Sequence, residues 1–439
     1  MKAALRNIAD LAEICRDLEA RYAAANPASG AQFERAGRFM PGGNTRSLLY
    51  YRPYPLTLTR GDGAYVWDAD GHCYADYVGE YGAGLFGHSD PVIAAALKKA
   101  VDGGLVLGGP GEDEARLAEL LCERFPSLDS VRFCNSGTEA NLYAFGTARV
   151  HTGRRKIMVF EGAYHGGCFI FTTGEAPLNA PFPFVVAPYN DIEATLRLIE
   201  RNADELAAVA IEPMQGAAGS IPADPSFLQA LREVASRHGI VLIFDEVITS
   251  RLSAGGLQSR LGITPDMTTL GKYIGGGSSF GAFGGRAEIM QRFDPRRPQP
   301  LFHAGTFNQD RLTMAAGLAG MAQVYTPETA RAFNEKGDEL RRRLAEVIAR
   351  HGAPMQMTGL GSIMTVHFTT GPIRSAGDIA GADPMLKHLF HFEMLARDQY
   401  VTPRGLVLCS LPMGEPEFDG LVAAFDGFVA DRTELLTER

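Results

Sequence analysis

From about residue 105 to 310 the chain alternates short apolar runs with longer stretches of helical periodicity. The runs are Ser130–Cys134, Lys156–Phe160, Phe184–Ala187, Ala208–Ile211, Ile240–Phe244, Thr268–Leu270 and Gly281–Gly284. Helices of about 10 to 15 residues fit several of the gaps, and strands alternating with such helices predict an α/β domain: a mainly parallel, seven-stranded sheet with right-handed crossovers. The run Ile240–Phe244 is apolar throughout rather than alternating, the pattern of a strand buried on both faces.

Outside this region the pattern changes. Residues 1–60 read as helices followed by an irregular arm, because Pro27, Pro41, Gly42, Gly43, Pro53 and Pro55 interrupt any long period. Gly63 to Val78 alternates, with Asp70-Gly71 between Tyr65-Val66-Trp67 and Tyr74-Ala75-Asp76-Tyr77, which predicts a hairpin. Helices are predicted near 91–103 and 113–125, and one long helical stretch from about Arg311 to Arg350. Beyond it, Met355–Phe368, helical 384–397, Leu406–Ser410 and helical 415–435 predict a smaller α+β domain. The expected organisation is residues 1–104 as N-terminal helices, arm and hairpin, joined to the small domain or to subunit contacts, 105–320 as the large domain, and 321–439 as the C-terminal small domain.

With 439 residues, 46% of them apolar and 21% charged, the chain has the composition of a globular protein with a large core. A formal charge of -9 argues against nucleic-acid or anionic-membrane partners. No apolar run approaches the ~20 residues that cross a bilayer. The N-terminal stretch mixes acidic residues into an amphipathic pattern unlike a signal peptide, so a cytoplasmic enzyme is expected. Six scattered cysteines without a CxxC pair read as reduced thiols, and ten histidines show no metal-type spacing, so no structural metal is expected.

Two residues carry the strongest chemistry. Asp245 ends the apolar run, and Lys272 is the one basic residue between Arg260 and Arg286. Strand ends of open α/β sheets bind ligands, and a lysine isolated among glycine, threonine and apolar residues can lose its proton and act as a nucleophilic amine, because desolvation disfavours the ammonium form. Asp245 could simply cap the next helix. A carboxylate that holds the proton of a pyridine nitrogen is the other reading, and with the lysine it points to pyridoxal phosphate (PLP). Asn135-Ser136-Gly137-Thr138-Glu139-Ala140-Asn141 follows a strand and opens a helix, either as a plain N-cap or as an anion cradle. Tyr164, after a glycine turn, could lie on a cofactor ring or be ordinary packing, and the adjacent His165 reads as a supporting residue rather than a catalytic acid. Glu212 ends another apolar strand, and Thr306 offers a hydroxyl far along the chain.

Taken together and in this order, NSGTEAN, EGAYHGG, IEPMQG, FDEV, PDMTTLGKYIGGG, GAFGGR and HAGTF resemble the class III aminotransferases of the fold-type I PLP family, from about residue 35 to the C-terminus. The resemblance implies that Lys272 carries PLP on its amine and shuttles the proton, that Asp245 pairs with the pyridine nitrogen, and that Glu212 supports that network. It implies Tyr164 and Val247 on the two ring faces, and Ser136, Gly137 and Thr138 on the phosphate. Thr306 would join the phosphate from the neighbouring subunit, making the active unit a homodimer with shared sites. Within the family the chain is similar to glutamate-1-semialdehyde aminomutases. Through Asn44-Thr45-Arg46-Ser47 and Thr402-Pro403-Arg404-Gly405 it is closer to bacterial aminotransferases of aromatic β-amino acids such as β-phenylalanine.

The expected reaction is ping-pong transfer of an amine from a β-amino acid to 2-oxoglutarate or pyruvate. An aminomutase and a non-catalytic PLP-binding regulator are the alternatives. Arg46 and Arg404 are the candidate carboxylate anchors, each alternatively a salt-bridge residue, and Tyr81 either lines the pocket or is core packing. Many family members continue the aspartate strand with a Gly-Phe-Gly/Tyr-Arg run. Here Thr249-Ser250-Arg251-Leu252 stands instead, so the pocket of the common ω-aminotransferases does not carry over.

Overall fold

A computed structural model describes residues 2–172, 174 and 176–437, with residues 2–10 and 437 described by their backbone alone. Its central sheet contains β1 (Ser130–Cys134), β2 (Lys156–Phe160), β3 (Phe184–Ala187), β4 (Leu206–Ile211), β5 (Val241–Asp245), β6 (Met267–Gly271) and β7 (Gly281–Gly285). The order across the sheet is β1-β7-β6-β5-β4-β2-β3, and every pairing is parallel except the two made by β7. The seven apolar runs are these strands, differing only at their ends.

Alternate side chains of the same strands feed two separate cores, as the period of two requires. Ile157, Val159, Ala208, Ala210, Val241 and Ile243 face the helix Gly137–Thr152, which meets them with Ala140, Ala144, Phe145 and Ala148. Met158, Phe160, Val209, Ile211, Leu242 and Phe244 face the helix Pro225–His238 through Phe227, Leu228 and Leu231. The first interface is rich in alanine, which lets the Gly137–Thr152 helix lie close to the sheet. Its N-terminus consequently opens at the carboxyl edge beside the end of β1.

The predicted hairpin forms from Tyr65–Asp68 and Cys73–Asp76, extended on one side by Leu58–Asp62. On its other side Gln399–Tyr400 adds in parallel, pairing Gln399 with Ala75 and Tyr400 with Asp76, so segments more than three hundred residues apart share one sheet. Gln356–Leu360, Ile363–His367 and Leu406–Leu408 make a separate antiparallel sheet. The helix Lys2–Ala25 packs on Pro384–Leu395, where His388 Nε2 lies 2.8 Å from Glu19 Oε1.

The long helix expected from Arg311 to Arg350 is interrupted. Arg311–Ala319 runs into a single π turn at Gly320–Val324, and a new helix starts at Pro327 and ends at His351. Pro327 lacks the N–H that a continuous helix would need, and it suits a first helical position. Thr326 caps the restart by accepting from Thr329 N at 3.2 Å. The Arg124 guanidinium donates to the carbonyls of Met321 (2.6 Å) and Tyr325 (2.7 Å) at the break. No helix among the described residues is long and apolar enough to cross a membrane.

Candidate active site

At the mouth of the Gly137–Thr152 helix, Ser136 Oγ accepts from Glu139 N at 3.2 Å, and Glu139 Oε2 accepts from Asn135 N at 2.7 Å. Thr138 Oγ1 accepts from Gly167 N at 3.1 Å, tying this helix end to the glycine turn after β2. Ser136 is therefore a true N-cap. The first-turn N–H groups of Gly137 and Thr138 lack intrahelical acceptors and, with the helix dipole behind them, suit an anion.

Asp245 does not cap a helix. That task falls to its neighbour Glu246, whose carboxylate accepts from Leu257 N at 2.7 Å and Gln258 N at 2.9 Å at the start of Gly256–Leu261. Asp245 instead takes three local donors: Asn141 Nδ2 at 2.8 Å and His165 Nδ1 at 2.7 Å on Oδ2, and Val247 N at 3.0 Å on Oδ1. Asn141 is oriented in turn by Thr269, whose hydroxyl donates to its Oδ1 at 2.9 Å. Burial would raise the Asp245 carboxyl, but the His165 hydrogen bond and charge, with the other donors, hold it below its ordinary value. Burial opposes protonation of His165, yet Asp245 outweighs it and raises the imidazole. The result is a buried carboxylate kept charged.

β5 and β6 are neighbours with Asp245 opposite Thr269, so Lys272 emerges three residues beyond that pair, at the same edge. Burial lowers the Lys272 amine, with Asp245 and Glu212 pulling the other way and Arg46 adding to the lowering. Lys272 has φ +54°, a left-handed conformation rare for a residue with a Cβ, and its side chain runs past Gly82. A Cβ on Gly82 would sit 3.1 Å from Lys272 Cδ. Val247 lies against Gly137 and Gly271; Cβ atoms there would come within 2.8 and 3.1 Å of its methyls. The valine thus packs between the phosphate-type loop and the lysine strand.

Glu212 stands at the end of β4, accepting from Tyr164 N at 2.8 Å and Gly216 N at 3.0 Å. Tyr164 is thereby held over the same edge. Burial pushes the Glu212 carboxyl from the usual 4.5 up to about 7, His165 opposing and Asp245 adding to the rise. Folded Glu212 therefore binds its proton more tightly than the unfolded chain does, and its contribution to stability, present at low pH, is lost as pH rises toward about 7. Relative to the parent, cofactor-free Glu212→Gln should gain up to about 3 kcal/mol of unfolding free energy between about pH 4.5 and 8. Urea titrations across that range read the change, and a constant offset would refute it.

Arg46 and Arg404, far apart in sequence, converge on Tyr81. Their guanidinium carbons lie 5.3 and 6.0 Å from the centre of its ring. Arg46 also pairs with Glu80. Thr306 does not join the cluster within its own chain. It is exposed on a loop anchored by Asn308, whose Oδ1 accepts from Asn135 Nδ2 at 3.1 Å. Arg251, in the segment that departs from the common pattern, turns away into the protein, donating from Nε to Ser362 Oγ at 3.1 Å and from Nη2 to the Cys409 carbonyl.

A lysine amine, a buried anionic carboxylate and a helix mouth on one sheet edge are what a phosphorylated pyridine aldehyde requires. The family model for class III aminotransferases matches residues 50–380. The chain belongs to the class III aminotransferases. This aminotransferase is 53% identical over 420 residues to a β-phenylalanine transaminase of Variovorax paradoxus, with 96% of each protein covered. A crystal structure of a β-phenylalanine aminotransferase from Variovorax paradoxus matches it with a TM-score of 0.96 at 52% identity, covering 97% of this chain and 99% of that one. It is also 36% identical over 412 residues to a glutamate-1-semialdehyde 2,1-aminomutase of Heliobacterium modesticaldum, covering 89% of this chain and 94% of that protein.

Sequence reasoning missed part of this site. Asn141 stands in the Asn135–Asn141 motif with no role of its own in the sequence, and its position on the helix facing β5 is the available signal. His165 fits a supporting role, as expected, but its direct bond to Asp245 depends on how the glycine turn folds. Nothing in the sequence marked Glu80.

Proposed function

We propose that this PLP-dependent aminotransferase moves the amino group of a β-amino acid such as β-phenylalanine, or a related amine, to 2-oxoglutarate or pyruvate by a ping-pong reaction. The observation that carries the reading is the shared edge of Lys272 and Asp245, with two guanidiniums converging nearby on Tyr81. The similarity to the Variovorax paradoxus enzyme supports the substrate class. Bound PLP supplies an aldehyde carbon for the substrate amine and an electron-withdrawing ring that stores the electrons left when a proton is removed.

The chain does the rest. Lys272, its charged form disfavoured by burial, would hold the cofactor, then take the proton from the amine-bearing carbon and deliver it to the former aldehyde carbon of the cofactor. Asp245, kept anionic by His165, Asn141 and Val247 N, holds the proton of the ring nitrogen, and Glu212 supports that network. Tyr164 and Val247 enclose the ring, and Ser136, Gly137 and Thr138 take the phosphate. A β-amino acid carries its carboxylate one carbon farther from the amine-bearing carbon than a 2-keto acid's carboxylate lies from its carbonyl carbon. Two anchors, Arg46 and Arg404, accommodate the two half-reactions with forked, bidentate contacts.

The same reading makes the active unit a homodimer in which Thr306 completes the partner's phosphate site. Phe302 and Phe307 lie close in sequence to Thr306 and are 89% and 63% exposed, large apolar side chains of the kind that a subunit contact covers. Cys73, Cys122, Cys134, Cys168 and Cys409 form no disulfide among the described residues, which fits a reducing compartment, and we place the enzyme in the cytoplasm. The deciding assay gives the PLP-loaded protein α-amino acids, β-amino acids and simple amines with either keto acid. If both β-phenylalanine enantiomers fail while glutamate-1-semialdehyde is turned over without a keto acid, the aminomutase reading replaces this one.

A further inference from the structure

Gly79, Glu80, Tyr81 and Gly82 form a turn of four consecutive residues with positive φ, at 48°, 47°, 54° and 102°. Glycine adopts this conformation freely, but for Glu80 and Tyr81 it is strained and persists only where surrounding contacts impose it. Those contacts are on the backbone. Asp76 Oδ1 accepts from Val78 N at 2.9 Å and Gly79 N at 3.1 Å, and Gly84 N donates to the Gly79 carbonyl at 2.9 Å. The strain sets Tyr81 beneath both guanidiniums and carries Glu80 to the Nη1 of Arg46. The two arginines differ sharply in consequence. Arg46 already holds a carboxylate, whereas Arg404 has no ion-pair or hydrogen-bond partner among the described residues.

We propose that Glu80 is a specificity-determining residue, an internal carboxylate that occupies Arg46 in the resting enzyme and is displaced by the carboxylate of an incoming β-amino acid. The inference rests on the reading of Arg46 as a substrate anchor. Exchange is cheap because the Glu80 side chain is 61% exposed and can swing into water while Asp76 keeps the turn in place. One carboxylate replaces another on the same forked donor, so the charge at Arg46 stays balanced throughout. An amine without a carboxylate leaves the pair intact and gains nothing there. Glu80 thus weakens binding of carboxylated donors at Arg46 by the worth of a solvent-exposed ion pair, a few-fold effect.

The test compares the PLP-loaded parent, E80Q, R46M and the double variant, with β-phenylalanine and with 1-phenylethylamine, the same amine lacking the carboxylate. E80Q is expected to raise the ratio of kcat/KM for the carboxylated over the carboxylate-free donor by about threefold. The change should reside in the KM of the carboxylated donor. The inhibition constant of 3-phenylpropanoate should fall by the same factor. In the R46M background the E80Q substitution should leave the ratio unchanged, because its target is gone. If R46M raises the KM for β-phenylalanine but E80Q leaves the ratio where it was, the role of Glu80 is overturned alone. If R46M has no effect on that KM, the anchor reading beneath it is overturned.

Discussion

Lys272→Ala is expected to lower kcat by at least about 10⁴-fold, since on the proposed reading it removes both the amine that holds PLP and the base that moves the proton. The visible absorption that PLP acquires when bound to a lysine should disappear with it. The substitution should leave the fold intact. The left-handed backbone at residue 272 is as available to alanine as to lysine, and Asp245 keeps its three donors without the amine. Circular dichroism matching the parent alongside absent turnover would support the assignment. Turnover within about tenfold of the parent would end it, because positioning alone cannot replace proton transfer at carbon.

Asp245→Asn is the second large effect, with kcat expected to fall by roughly 10²–10³, the scale of losing one pre-organised electrostatic contact at a reacting centre. A neutral amide cannot hold the ring-nitrogen proton as a carboxylate does, and its NH2 must face one of the donors that now converge on Asp245. That mismatch should cost about 1–3 kcal/mol of stability. The parent carboxyl sits below its ordinary value, so its stabilisation is present above the unfolded-state pKa and is lost as pH falls through the folded value. Asp245→Asn should therefore lose less stability than the parent on acidification, measured by urea titration. Equal acid sensitivity in both proteins would mean that His165 does not hold Asp245 as the geometry states.

These two residues were legible because each broke a pattern. Asp245 ends an unbroken apolar run, and Lys272 is an isolated charge in a segment of glycine, threonine and apolar residues. The central strands were legible for the same reason, since a strand buried on both faces leaves no polar alternation to confuse with a helix. The break near Thr326-Pro327 was visible in principle, because proline marks helix starts as readily as it ends them. Helical periodicity on both sides hid it.

Other features were beyond any local pattern. Glu246 and Asp245 are adjacent carboxylates at one strand end, and only the path of the following turn makes one a helix cap and the other the partner of His165. The left-handed turn at Gly79–Gly82 depends on Asp76 and on the arm that brings Leu48 O to the Tyr81 hydroxyl at 3.2 Å. Glu80, an exposed acid in a glycine turn, has no sequence signature.

Local pattern named the seven strands of the central sheet, and it set the lysine, the aspartate and the helix mouth after Ser136 at strand ends. Periodicity and chain direction suffice for that, since in a parallel sheet the carboxyl ends of the strands share one edge. Tertiary structure alone decided that Arg46 and Arg404 meet on one tyrosine ring, that His165 and Asn141 hold Asp245, and that Gln399–Tyr400 pairs with the N-terminal hairpin. Each of these joins residues from different parts of the chain, and such contacts follow from the packing of whole elements, which no local spacing encodes.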